Sequence, residues 1–67
     1  MKLRNKFAMQ LKRLRKKEGI SQATLAFRTK LSLGYVARLE QGRHDPPLST
    51  LARLAKALRV SVAELLA

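Results

Sequence analysis

Residues 21–42 read SQATLAFRTKLSLGYVARLEQG: two short apolar-periodic runs, each opened by a serine, with very few residues between them. Ser21 is placed to accept a hydrogen bond from a backbone N–H one turn on and so to start a helix, and Ser32 repeats that chemistry. The first run turns Leu25, Ala26 and Thr29 to one side. The second does the same with Val36 and Leu39, and Gly42 stops it. A link of three or so residues forces two helices to cross steeply instead of lying side by side, so the spacing predicts a helix-turn-helix at residues 21–41. The second helix, Ser32–Gln41, then stands out from the core with its outer face free.

The flanks supply what such a pair must pack against. From Asn5 to Glu18 the apolar residues Phe7, Leu11 and Leu14 are spaced by four and three, which predicts a helix that Gly19 ends. The stretch GRHDPPLST reads as a loop, after which Ser49 is expected to cap a fourth helix facing inward with Leu51, Leu54, Ala55 and Leu58. Ser61 is expected to open a short fifth helix with Val62, Leu65 and Leu66. Phe7 and Phe27 are expected in the core or at its rim. No run has the alternation of a β-strand. The expected fold is all-α: a compact five-helix body forming one helix-turn-helix domain over residues 1–67.

At 67 residues that body is near the lower size at which one apolar core suffices, and 46% of the residues are hydrophobic. There is no cysteine, hence no disulfide framework, thiolate metal site or thiol nucleophile. One histidine and four scattered acids offer no acid–base pair and no metal cluster, so neither an enzyme nor a cofactor or metal is expected. No apolar stretch approaches the roughly 18 residues of a spanning helix, and no signal peptide is read.

Charge then points to a partner. Fifteen Lys and Arg against four Asp and Glu leave a formal net charge of +11. Such an imbalance repels itself in the compact state and calls for a polyanion. The basic residues Lys2, Arg4, Lys6, Lys12, Arg13, Arg15, Lys16 and Lys17 fall in the first seventeen positions, with no acid among them. DNA, RNA and an anionic membrane all qualify by charge alone. The globular, Leu-rich remainder argues against a lone interfacial helix, and the lack of stacking aromatics argues against RNA. The major groove of duplex DNA, about 12 Å wide, admits one α-helix of the kind that Ser32–Gln41 would present.

From Leu11 to about Leu66 the chain resembles the lambda-repressor-like helix-turn-helix family, the Cro, repressor and xenobiotic-response-element type of DNA-binding domain. The resemblance is carried by Arg15, Gly19, Ser21-Gln22, Leu25-Ala26, Ser32, Val36, Arg38-Leu39-Glu40, Gly42, Pro46, Leu51, Leu54-Ala55, Ala57-Leu58 and Val60-Ser61-Val62. What makes it specific is the ungapped register from Ser21 through Gly42 and on to Pro46 and Leu51.

The resemblance implies a transcriptional regulator that occupies an operator. By position it assigns Gln22 to the DNA backbone, and Ser32, Leu33, Gly34, Tyr35 and Arg38 to the face that meets the groove. Of these, Arg38 has the chemistry for a bidentate contact to guanine, worth about 1–3 kcal/mol of discrimination. Gln41, Arg43 and His44 follow where relatives clamp the sugar-phosphate chain, although His44 by itself reads as a solvated loop imidazole. Arg28, near the turn, adds backbone attraction. Arg15 and Glu40 match positions that family members pair in a structural salt bridge.

The family's two-fold dimers imply a homodimer on a palindromic double-stranded operator, in the cytoplasm and associated with the nucleoid. An antitoxin-type module with a protein partner, binding its own operator as well, is the alternative. Two positions depart from the family pattern. Where relatives usually have glycine, in the turn before the recognition helix and after the fourth helix, this chain has Lys30 and Arg59.

Overall fold

A computed structural model of the chain describes residues 3–67. Five helices follow in order: α1 (Leu3–Lys17), α2 (Gln22–Thr29), α3 (Leu33–Glu40), α4 (Leu48–Leu58) and α5 (Val62–Leu65). No strand occurs among the described residues. Lys2 falls outside them.

Each helix begins and ends for a local reason. Ser21, Ser32 and Ser61 are extended N-caps whose hydroxyls accept from the backbone N–H of Thr24, Tyr35 and Glu64, each at 3.0 Å. The fourth helix corrects the expectation from sequence, because its N-cap is Pro47, with no side-chain cap, and Ser49 lies inside the first turn. Proline holds φ at −68° and its carbonyl takes the N–H groups of Thr50 and Leu51, both at 3.0 Å, so the helix starts two residues sooner than a serine cap would allow.

The helices α2 and α4 end on Lys30 and Arg59, both in the left-handed region at φ 60°. In each case the next N–H bonds five residues back, Leu31 to the Ala26 carbonyl and Val60 to the Ala55 carbonyl, at 3.0 Å. The two departures from glycine thus keep the backbone that glycine would favour and carry its strain. Lys30→Gly and Arg59→Gly should each stabilise the protein by about 1 kcal/mol. Thermal melting would read this as a rise of about 4–8 °C per substitution, and no rise would mean that the side chains repay the strain elsewhere.

The helices close around Leu11, Leu25, Val36, Leu39, Leu54, Leu58 and Leu65, all fully buried, with Phe7, Leu14, Ala26 and Ala55 beside them. A buried leucine contributes about 1.5–3 kcal/mol relative to exposure, so the α1, α2, α3 and α4 stripes read from spacing are the source of cohesion. Leu51 and Val62 pack at the rim. Leu66 is 44% exposed, about 100° round from buried Leu65. One apolar residue does not follow the expectation. Phe27 is 85% exposed and belongs neither to the core nor to its rim, since α2 turns Leu25, Ala26 and Thr29 inward instead.

The loop after α3 is held from the other end of the chain. Gly42, at φ 73°, lies so close to α1 that a Cβ there would collide with Asn5 Oδ1. Arg4 pairs with Asp45 at 3.2 Å on the surface. The loop that follows α3 is thereby held against α1.

Candidate nucleic-acid interface

One buried ion pair sets how α3 stands on the body. Arg15, on the inner face of α1, donates from Nε to Glu40 Oε2 at 2.6 Å and from Nη2 to Glu40 Oε1 at 3.0 Å. Its Nη1 donates to the Ile20 carbonyl at 2.9 Å. Gln22 Nε2 donates to Glu40 Oε1 at 3.0 Å. Arg15 is 8% exposed and the Glu40 side chain 2%, so the fork is desolvated and its donors and acceptors are matched. The hydrogen bond to Glu40 raises the Arg15 pKa above its ordinary value, burial opposes this, and the carboxylate's charge adds to it. Four segments meet here: α1, the turn after it, the start of α2 and the end of α3. Gln22, which the resemblance sends to DNA, is tied by its amide N–H to this pair and half-buried.

With Val36 and Leu39 turned fully inward, α3 presents Ser32, Leu33 and Gly34 outward at its start, with Tyr35 and Arg38 half-buried beside them. Leu33 is 51% exposed. Gln41 is the C-cap, and its side-chain oxygen accepts from Arg43 Nη1 at 3.4 Å. His44 is half-buried against α3. Its ring centroid is 5.7 Å from that of Tyr35, and its Nε2 accepts from Arg38 Nε at 3.0 Å. Gly34 leaves room for the same guanidinium, since a Cβ there would lie 3.2 Å from Arg38 Nη1.

Ser32, Leu33, Gly34, Tyr35, Arg38, Gln41, Arg43 and His44 therefore lie on α3 and the loop that leaves it. Arg28 does not join them. It lines a separate open hollow between α2 and α4 with Lys30, Arg53, Lys56 and Arg59, and no residue of α3 contributes to that hollow. Arg53 and Lys56 escaped the sequence reading. Their spacing of three, continued to Arg59, was the available signal for one basic helix edge.

A helix-turn-helix family model matches residues 11–65. The chain belongs to the helix-turn-helix family. This helix-turn-helix chain is 38% identical over 65 residues to the uncharacterized HTH-type transcriptional regulator y4dJ of Sinorhizobium fredii, a match spanning 97% of this chain and 84% of that protein. It is 40% identical over 52 residues to the immunity repressor protein of Bacillus phage phi105, spanning 78% of this chain and 36% of the repressor.

Among solved structures, the restriction-modification controller protein C.AhdI from Aeromonas hydrophila aligns with a TM-score of 0.90 at 39% identity, covering 92% of this chain and 94% of that one. The clp gene regulator ClgR from C. glutamicum aligns with a TM-score of 0.95 at 33% identity, covering 98% and 85%. Membership makes this chain a DNA-binding transcriptional regulator and does not favour the antitoxin-type alternative. Its relatives are transcriptional regulators, and none of its described helices is long and apolar enough to cross a membrane.

Proposed function

We propose that residues 1–67 form one DNA-binding domain that regulates transcription by laying α3 in the major groove of a specific duplex operator. The observation that carries this reading is the division of α3: Val36 and Leu39 are fully buried, while Ser32, Leu33 and Gly34 face solvent beside Arg38. A helix held by one side and free on the other, in a chain of net charge +11, has the shape and sign that a groove lined by phosphates requires.

In this reading Arg38 offers its fork to a guanine, and Leu33 offers at most an apolar contact to a thymine methyl. Tyr35, Gln41 and Arg43 lie along the phosphate chain, with His44 in the same loop beside Arg38 and with Gln22 and Ser32 near the entry of the two helices. Arg28 contributes from the separate basic hollow as a source of long-range attraction. The domain works by occupancy, without catalysis, metal or cofactor, in the cytoplasm at the nucleoid. It binds as a homodimer, so that two α3 helices read half-sites about one helical turn apart.

Selection of bound duplexes from a random pool tests this directly. The expected result is a two-fold-symmetric motif with a guanine preference in each half-site. A pool that emerges unchanged would overturn sequence-specific binding, and a single unrepeated half-site would overturn the dimer.

A further inference from the structure

Taken one at a time, Gly34 is a residue that weakens a helix and His44 a loop imidazole with no evident task. The fold places both against the same guanidinium. Arg38 Nε donates to His44 Nε2 at 3.0 Å, and Nη1 occupies the space that a side chain at Gly34 would enter at 3.2 Å. Tyr35 flanks the imidazole, with ring centroids 5.7 Å apart and planes inclined by 35°. The loop that carries His44 is itself fixed, by the approach of Gly42 to Asn5 and by Arg4 on Asp45.

We infer that His44 is a positioning residue that presets Arg38 for guanine, with Gly34 supplying the room that the preset conformation needs. The inference rests on the reading above that α3 enters the major groove. An arginine has rotamer freedom to lose when it docks, and a free one must lose it at the moment of contact. Here Nε is already engaged by the imidazole, and the two terminal nitrogens remain to face the O6 and N7 of a guanine. His44 thereby serves base discrimination rather than the phosphate chain, although it lies in the loop where phosphate contacts are expected.

The arrangement also demands a neutral His44. Only the neutral imidazole has a lone pair to accept at Nε2, and the imidazolium would be a second cation beside Arg38.

The experiment begins with the motif selected by the unmodified protein. The position whose guanine preference disappears in Arg38→Ala is the base that Arg38 reads. At that position His44→Ala is expected to lose about tenfold of the preference for guanine over other bases, within the range a bidentate contact supplies. Preferences elsewhere in the site and the dependence on salt should not change. His44→Gln, whose amide oxygen can accept from Nε, should restore much of the preference. Gly34→Ala should weaken the same position, and His44→Ala added to Arg38→Ala should have no further effect on base choice.

The inference is overturned if His44→Ala weakens all sequences equally and lowers the salt slope by about 1, which is the signature of a phosphate contact. It is also overturned if guanine preference at the Arg38 position survives His44→Ala. A different failure would be that Arg38→Ala leaves every base preference intact; that removes the groove-reading role of α3 itself, and the inference with it.

Discussion

Glu40→Ala is expected to destabilise the protein by about 3–5 kcal/mol, the range measured when one partner of a buried ion pair is removed. The reason lies in what would be left behind. Arg15 would keep its charge among buried leucines with only the Ile20 carbonyl to receive it, and Gln22 would lose its acceptor. A domain of this kind is stable by only about 5–15 kcal/mol in total, so such a loss approaches unfolding. Denaturant titration would show the midpoint falling with little change in slope, and melting would shift by tens of degrees.

The double variant Arg15→Met with Glu40→Leu separates cause from packing. It should recover most of the loss, because apolar residues of similar volume remove the stranded charge. A Glu40→Ala variant within about 1 kcal/mol of the parent would show that water reaches the site and that the fork does not hold α3. The sign of the Arg15 contribution to pH dependence follows from its own shift. Its pKa is raised on folding, so its contribution is fully present below the unfolded value and is lost only as pH climbs through the still higher folded one. That window lies in strong alkali, and from acid to mildly basic pH the guanidinium stays charged.

The second large effect is electrostatic. If two copies together neutralise about 6–10 phosphates, raising salt from about 50 to about 200 mM should weaken operator binding by about 10³-fold or more. The net charge of +11 makes that number of contacts attainable from a small footprint. Arg43→Gln, at an exposed side chain beyond the recognition helix, should weaken all sequences alike and reduce the log–log salt slope by about 1 for each copy bound, leaving base preference unchanged. An affinity indifferent to salt would be incompatible with binding along a phosphate chain. Testing Lys30→Gly in the same assay asks whether the α2–α4 hollow takes part. Lower low-salt affinity together with a higher melting temperature would mean that the lysine gives up stability for attraction.

Much of the fold could be read from neighbours in the chain. A serine hydroxyl three residues before an N–H, apolar residues three and four apart, and glycine at a helix end all act within one or two turns. The cap at Pro47 was missed because Ser49 offers a stronger capping side chain, and the restraint that proline places on φ prevailed over it. Phe27 departs from expectation for a related reason: an apolar residue in a short helix does not reveal which face the body will cover.

The candidate site divides along the same line. The outward residues of α3 followed from its spacing, and Arg15 with Glu40 followed from family resemblance, but nothing local joins Gly34, Arg38 and His44 into one unit. What the amino-acid order determined alone is the set of helices, the serine caps of α2, α3 and α5, the short turn that joins α2 to α3, and a net charge that requires a polyanion. What only the tertiary structure decided is which other distant groups come together: Asn5 with Gly42, His44 with Arg38, and Arg28 with the basic edge of α4. Helix caps and periodicity depend on torsions a few bonds apart, whereas these contacts exist only once core packing has set the angles between helices.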